Sequence, residues 1–204
     1  MAYGFLDIAS TPSVKAAQAA NGAAALWSRF DGDRAFDRFT QAEAEFIAER
    51  DSFYMASVGE TGWPYVQHRG GPAGFLRVID ETTLAFPDFR GNRQYISVGN
   101  LAADGRVSLI LMDYAGRRRL KIYAHAQAVS LADQPDLWAK LALPGSRAKP
   151  ERAVVLRLQA FDWNCPQHIT PRFTEAEIAG AMEPLRERLA VLEAENASLR
   201  GAAA

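Results

Sequence analysis

Short β-like runs separated by tight turns occupy the middle of the chain and limit the folds open to it. Glycines in the turns at 59–62 and 115–116 indicate that the neighbouring runs pair as hairpins. Six or more short strands, with helical patterns only around them, predict a small antiparallel barrel with peripheral helices. The runs rich in β-branched and aromatic residues cover 53–58, 63–69, 75–79, 82–86, 107–114, 120–129 and 153–163.

Helices are predicted around this barrel rather than within it. Thr40 and Glu43 have the spacing of a capping box, which predicts a helix that runs to about Glu49. The first eleven residues are expected to be irregular. The remaining predicted helices cover 13–30, weakened by Gly22, and 94–102 and 134–143.

The C-terminal region has a different pattern, typical of a coiled coil. Thr174 and Glu177 form another capping box, and Pro184 is expected to kink or delay the helix that follows. Asn196 occupies an a position, which favours a two-stranded parallel pairing. Self-association is favoured over packing of one amphipathic helix on its own barrel. The heptad positions, spaced alternately four and three, are Ile178, Met182, Leu185, Leu189, Leu192, Asn196 and Leu199.

These patterns divide the chain into three expected parts. Residues 1–39 form an N-terminal helical extension, 40–173 the barrel domain and 174–200 the heptad-patterned helix. The fold class is therefore α+β, mainly β. The whole chain resembles one globular domain with an appendage, as its length of 204 residues suggests.

Composition excludes several classes of function. The net charge of −1 argues against a protein that lives on nucleic acid, and no basic helix precedes the heptads. No apolar run approaches membrane-spanning length, and the alanine-rich segment 15–26 is too polar for a signal peptide. Cys165 is the single cysteine, so no intramolecular disulfide forms and a cytoplasmic location is expected. Cys165 and His168 are too few for a structural zinc site.

The segment 86–95 carries the strongest functional signal. Arg90, Gly91, Asn92 and Arg93 lie where a predicted strand gives way to a predicted helix. Guanidinium groups donate to phosphate in a planar fork, and the first helical turn adds free N–H groups. Such a corner can hold the terminal phosphate of a cofactor, and a polar surface loop with solvated arginines is the alternative interpretation.

In combination and order, six segments resemble the pyridoxamine 5′-phosphate oxidase-related, flavin-binding split-barrel family. The resemblance covers roughly residues 40–175. It implies a homodimer of six-stranded split barrels, with two FMN molecules at the subunit interface and a small-molecule redox substrate. The segments that carry it are 46–59, 63–72, 88–94, 99–101, 118–122 and 162–173.

The resemblance also implies a set of cofactor-binding residues. Residues 67–72 would run along the flavin, Asn92 and Arg93 would hold the phosphate, and Arg119 would face the isoalloxazine. Trp163 and Arg172 would close the site from the other subunit. The full candidate set is Gln67, His68, Arg69, Gly70, Asp88, Arg90, Asn92, Arg93, Arg119, Trp163 and Arg172.

Some positions depart from the oxidase pattern. Gln67 and Pro72 stand where the oxidase has an arginine and a lysine, so Arg69 and Arg90 are expected to supply the missing charge. The residues that would bind pyridoxal phosphate are not recognisable in this sequence. The resemblance therefore does not predict the reaction of the oxidase for this chain. Structural roles for His68 and Trp163 remain open alternatives.

Three functions remain open from the sequence. The first is an FMN-dependent oxidoreductase, in which the cofactor brings the redox chemistry. The second is a non-catalytic flavin carrier or sensor. The third is a haem-binding split barrel, for which His68, His125 and His168 are the only histidine ligands.

Overall fold

A computed structural model describes residues 4–28, 36–143, 145, 148–164 and 166–202. The chain divides into two compact units, one of Met1–Asp113 with Arg118–Pro166 and one of Tyr114–Arg117 with Gln167–Ala204. The helices are α1 (Phe5–Ala9), α2 (Pro12–Ala20), α3 (Ala24–Ser28), α4 (Gln41–Ala48), α5 (Ile96–Ala103), α6 (Pro135–Leu141) and α7 (Glu175–Ala202). The strands are β1 (Ser52–Val58), β2 (Pro64–Gly70), β3 (Arg77–Asp80), β4 (Thr83–Phe89), β5 (Arg106–Asp113), β6 (Arg118–Val129) and β7 (Pro150–Asn164).

All seven strands belong to one antiparallel sheet, in the order β2–β1–β5–β6–β7–β4–β3. The predicted six-stranded barrel is therefore wrong in strand number. It is also wrong in closure, because β2 and β3 remain edge strands within the described residues. The seven β-like runs of the sequence each become a strand. The count of six came from the family resemblance.

Strong curvature nevertheless brings distant strands of this open sheet together. Phe53 on β1 and Phe86 on β4 are four strand steps apart, which in a flat sheet would separate them by roughly 19 Å. Their ring centroids are 5.2 Å apart. Phe75, in the β2–β3 connection, stacks on Phe53 at 5.6 Å. The sheet thus curls around one aromatic-rich core without closing by backbone hydrogen bonds.

The inner face of the sheet supplies most of this core. Strand β1 buries Phe53 and Met55 while Ser52 and Tyr54 point outward, as expected for a half-buried strand. Burial of the apolar side chains is the main force that holds the curled sheet together. The same core cluster takes in Leu109, Leu111, Leu120, Ile122, Leu84, Phe86 and Leu156 from the other strands, and Phe46 and Ile47 from α4.

Capping boxes in the sequence predicted the starts of two helices correctly. The capping box that opens α4 is present, since the Glu43 carboxylate accepts from the Thr40 backbone N–H at 2.9 Å. The second capping box, at Thr174 and Glu177, opens α7. Pro184 lies inside α7 and does not end it.

The N-terminal helices differ from the prediction. Residues 5–9 form a helix where irregular structure was expected. The helix expected over 13–30 is two helices, because Gly22 adopts a left-handed backbone (φ +71°) that interrupts it. Residues 29 and 30 of that prediction lie outside the described residues, as does Cys165.

Strand β4 continues past its predicted end at Phe86 and carries Pro87 and Asp88 into the sheet. Proline has no backbone N–H to donate, so within a sheet it needs a position where one side of the strand is unpaired. The β3–β4 pairing reaches only Ala85, and beyond it β4 pairs with β7 alone. Pro87 is accommodated there, and Asp88 becomes a buried strand residue.

Gly71 is packed against the core in a way that leaves no room for a side chain. A Cβ at this position would lie 2.7 Å from Cγ of Phe75, which is itself fully buried. We expect Gly71→Ala to lower the free energy of unfolding by about 1–3 kcal/mol, the usual cost of overpacking. Urea denaturation of the full chain measures this.

The matched control is Gly99→Ala in α5, where an added Cβ meets nothing within 4 Å. Alanine suits a helix better than glycine does, so this change should stabilise the protein slightly. Equal effects of the two substitutions would contradict the packing at Gly71.

Candidate functional site

A buried ion pair joins the edge strand β2 to β4, near the other edge of the curled sheet. It forms one wall of a cleft. Nη1 of Arg69 on β2 donates to Oδ1 of Asp88 on β4 at 2.6 Å. Strands β2 and β4 are five steps apart in the sheet order, so side chains make the contact that backbone pairing does not. Nε of Arg152 lies 3.6 Å from Oδ2 of Asp88, which gives this buried carboxylate two cationic neighbours.

The guanidinium of Arg69 has a further N–H group that is not used by Asp88. Its Nε is buried and has no hydrogen-bond partner among the described residues. Its guanidinium carbon lies 5.8 Å from the centroid of the Phe86 ring, so the core supports it from below. A buried unpaired N–H is costly and indicates a place where an acceptor is missing.

The connection between β4 and α5, residues 90–95, forms the second wall and is called here the phosphate corner. Arg93 and Tyr95 both adopt left-handed backbone conformations, with φ of +65° and +54°. Such conformations cost roughly 1–3 kcal/mol each for residues other than glycine and cluster at binding sites. Oδ1 of Asn92 accepts from the Gln94 backbone N–H at 3.1 Å, which tightens the bend.

Helix α5 begins at this corner with its first N–H groups uncapped by any side chain. Tyr95 is the N-cap residue and makes no capping hydrogen bond; its hydroxyl lies 3.4 Å from Oε1 of Glu151. Ser97, in the first turn, instead donates through Oγ to Oε1 of Gln67 at 2.8 Å. This bond ties α5 to β2 and leaves the helix N-terminus directed at the cleft between them.

The cleft has a volume of about 180 Å³ and is lined by β2, the phosphate corner and the start of β7. Arg93 is exposed there and forms no ion pair or hydrogen bond within the described part of the chain. Nε of Arg90 lies 3.7 Å from Oε1 of Glu151, and Nη2 of Arg152 donates to Oε2 of the same residue. Arg69, Arg90 and Arg152 thus contact the two carboxylates, Asp88 and Glu151, and Arg93 lines the same cleft.

The structure brings together five of the eleven candidate residues in the cleft lining, namely Gln67, Arg69, Asp88, Asn92 and Arg93. Arg90 lies beside them through its contact with Glu151. The exposed residues His68 and Gly70 alternate with Gln67 and Arg69 on β2, so they face the other side of the sheet. His68 packs edge-on against the Tyr54 ring there.

The three remaining candidates lie elsewhere. Arg119 is on β6, opposite Met112, and outside the cleft lining. Arg172 belongs to the second unit, where its guanidinium carbon lies 4.9 Å from the centroid of the Tyr114 ring. The role of Arg119 beside the isoalloxazine and that of Arg172 toward the site of the other subunit stay predictions.

Trp163 has a structural role within its own chain. Its indole N–H donates to Oε1 of Glu43 at 2.7 Å, and its ring packs edge-on against Phe46 at 4.7 Å. It thereby fastens the first turn of α4 to the end of β7. Burial of the Glu43 carboxylate would by itself raise its pKa, but hydrogen bonds from Thr40 and Trp163 outweigh burial and lower the pKa.

Sequence reasoning missed the residues that hold the corner in place. Glu151 and Arg152 begin β7, and only the pairing of β7 with β4 carries them to the corner. Ser97 was inside a predicted helix, with no signal that it would reach Gln67. No group of three or more metal-ligating side chains is present among the described residues. None of the described helices combines the length and apolarity needed to cross a membrane.

The family model for pyridoxamine 5′-phosphate oxidase matches residues 39–163, which include every strand of the sheet except the last residue of β7. The chain belongs to the pyridoxamine 5′-phosphate oxidase family. No curated protein matches the chain.

Several solved structures are similar to this chain in outline. HupZ of Group A Streptococcus is 14% identical, with 66% of this chain and 99% of that chain covered and a TM-score of 0.48. An FMN-binding protein from Syntrophomonas wolfei is 13% identical, with 72% and 97% covered and a TM-score of 0.47. An F420 reductase is 21% identical, with 58% and 94% covered and a TM-score of 0.41. At these values the assignment stands on the family model alone.

The Trp163–Glu43 bond makes a prediction about pH. Because the folded-state pKa of Glu43 is lowered, its ionised form stabilises the fold above about pH 4.5, and this stabilisation is lost as pH falls through the folded pKa. Trp163→Phe should cost about 1–2 kcal/mol at pH 7 and less below pH 4. Urea denaturation at the two pH values measures both.

Trp138→Phe is the control, since Trp138 packs in a second apolar cluster and its indole makes no hydrogen bond within the described residues. Its cost should not depend on pH. A pH-independent cost for Trp163→Phe as well would contradict the role of the Glu43 carboxylate.

Proposed function

We propose that this protein binds FMN, with the phosphate of the cofactor in the cleft between β2 and the phosphate corner. The observation that carries the proposal is the set of free donors on residues that line this cleft. Arg93, the buried Nε of Arg69 and the uncapped N-terminus of α5 each lack an acceptor within the described residues. A phosphate monoester supplies several strong acceptor oxygens at once.

Charge supports the same assignment. Four arginines lie in or beside the cleft, at positions 69, 90, 93 and 152, and they exceed the carboxylates of Asp88 and Glu151 by two positive charges. A phosphate monoester carries about −1.5 to −2 at neutral pH, so it would nearly neutralise the corner. Arg69 and Arg90 would add the cationic charge that Gln67 and Pro72 do not supply.

The size of the cleft supports a site completed by a second chain. Its 180 Å³ is below the roughly 300–1,000 Å³ of pockets that enclose a whole ligand, so it takes the phosphate end and leaves the ring outside. The outer face of β1 and β2, on the opposite side of the sheet from Gln67 and Arg69, is apolar and exposed, with Val66 60% and Tyr54 40% exposed. We propose that a homodimer covers this face, that Trp163 and Arg172 of the second chain close the site, and that Arg119 faces the isoalloxazine.

Bound FMN would supply redox chemistry, and the protein would bind and orient it for a small organic substrate. None of the side chains that line the cleft in the described part of the chain is His, Lys or Cys. We propose that the cleft binds the phosphate and leaves the redox chemistry to the flavin. An FMN-dependent oxidoreductase is the first candidate function, and a non-catalytic flavin carrier is the second.

The phosphate assignment predicts which part of the cofactor Arg93 recognises. Arg93→Ala should weaken FMN binding about 10- to 100-fold, because a charge-assisted hydrogen bond is worth about 1.5–3 kcal/mol. Binding of riboflavin, which lacks the phosphate, should be unchanged. Quenching of flavin fluorescence on titration with the full-length protein measures both affinities.

Arg38→Ala is the matched control, since Arg38 is an exposed arginine outside the cleft that pairs with Glu81. Its FMN affinity should equal that of the unmodified protein. An Arg93→Ala protein that binds FMN normally, or loses FMN and riboflavin equally, would refute the phosphate corner.

Turnover separates an oxidoreductase from a carrier. For an enzyme, anaerobic NADH or NADPH should bleach the visible absorbance of the FMN-loaded protein, and air should restore it, faster than with free FMN at equal concentration. Bleaching no faster than free FMN with both reductants would favour the carrier. A purified protein with an intense blue-edge absorption band and no flavin would instead indicate haem.

A further inference from the structure

Helix α7 presents its apolar seam to solvent along its whole length. It contains 28 residues, which corresponds to about 42 Å of helix. The exposed fractions along the seam are 53% at Ile178, 63% at Leu185, 56% at Leu189 and 72% at Leu199. A stripe of large apolar side chains at heptad spacing is normally covered by another helix.

The charged residues beside the seam indicate which helix covers it. With Leu185, Leu192 and Leu199 at d positions, Arg188 and Glu195 fall at g positions. Glu193 and Arg200 fall at e positions. None of these four charges has an ion-pair or hydrogen-bond partner within the described residues.

We propose that α7 pairs with α7 of a second copy of this chain as a parallel, in-register, two-stranded coiled coil. In that arrangement a g residue faces the e residue of the following heptad on the other helix. Arg188 then faces Glu193, and Glu195 faces Arg200, on both sides of the seam. Arg186, at another e position, faces only Ala181 and is already 3.6 Å from Glu183 of its own helix.

Asn196 distinguishes the parallel arrangement from the antiparallel one. In a parallel pair the two Asn196 side chains meet at the same a layer and hydrogen-bond to each other. In an antiparallel pair a positions pack against d positions, so each Asn196 would lie against a leucine without a polar partner. Pro184 occupies a c position, away from the contact, so its ring does not interfere with pairing.

Disulfide cross-linking of the full-length protein tests orientation and register. In a Cys165→Ser background, Leu199→Cys should form a covalent dimer under mild oxidation, because d residues of parallel helices lie side by side. Ser198→Cys is the matched control, adjacent in sequence but at an outward c position. We expect cross-linking at 198 to be at least ten-fold slower.

Two results would overturn the parallel pair. One is equal cross-linking at 198 and 199, or none at 199. The other is a mixture of Leu199→Cys and Met182→Cys chains that forms the mixed dimer in preference to either homodimer, since these positions meet only in an antiparallel pair.

Charge reversal tests the pairing by a second route. Arg188→Glu with Glu195→Arg places like charges at every g–e contact, and should slow cross-linking through Leu199→Cys at least ten-fold. Adding Glu193→Arg and Arg200→Glu to the same chain restores opposite charges and should return the rate to within two-fold. Failure to slow, or failure of the rescue, would refute the proposed contacts. The outcome does not depend on flavin binding.

Discussion

The Arg69–Asp88 ion pair is the contact on which the cleft depends. It joins β2 to β4 across the gap that the strand pairing leaves open, and it is backed by the Phe53, Phe75 and Phe86 rings. Removing Asp88 would leave the largely buried Arg69 guanidinium without an ion-pair partner, which is more costly than the pair is stabilising. Arg69 also lines the cleft, so the closure of the fold and the charge of the site share one side chain.

The phosphate corner combines a strained backbone with an excess of donors. Left-handed Tyr95 is kept in place by its neighbours, since its ring lies against the Arg152 guanidinium and its hydroxyl lies near Glu151. Ser97 holds the following helix against Gln67. A site held in advance of its ligand loses less entropy on binding, which would strengthen the binding of the proposed phosphate in this small cleft.

The two units contribute different kinds of recognition. The sheet unit offers charge and hydrogen-bond donors of a kind suited to a small anionic ligand. Helix α7 offers an apolar seam with ordered charges, suited to a helix of the same kind. A short coiled coil is marginal alone, but chains that also associate through the sheet would present each helix to its partner at high effective concentration.

Local sequence determined the elements of this protein, because capping boxes, turn glycines and strand periodicity act over a few residues. Thr40 with Glu43, Gly22 and the heptads of α7 had clear signals, although Gly22 was underestimated and α1 was not recognised. The corner itself was predicted from Arg90, Asn92 and Arg93. Only the tertiary structure decided that Asp88 joins β4, that Glu151 and Arg152 reach the corner, and that His68 faces away from Gln67. Those outcomes depend on strand register and on the curvature of an open seven-stranded sheet, which join residues far apart in the chain and leave no local pattern.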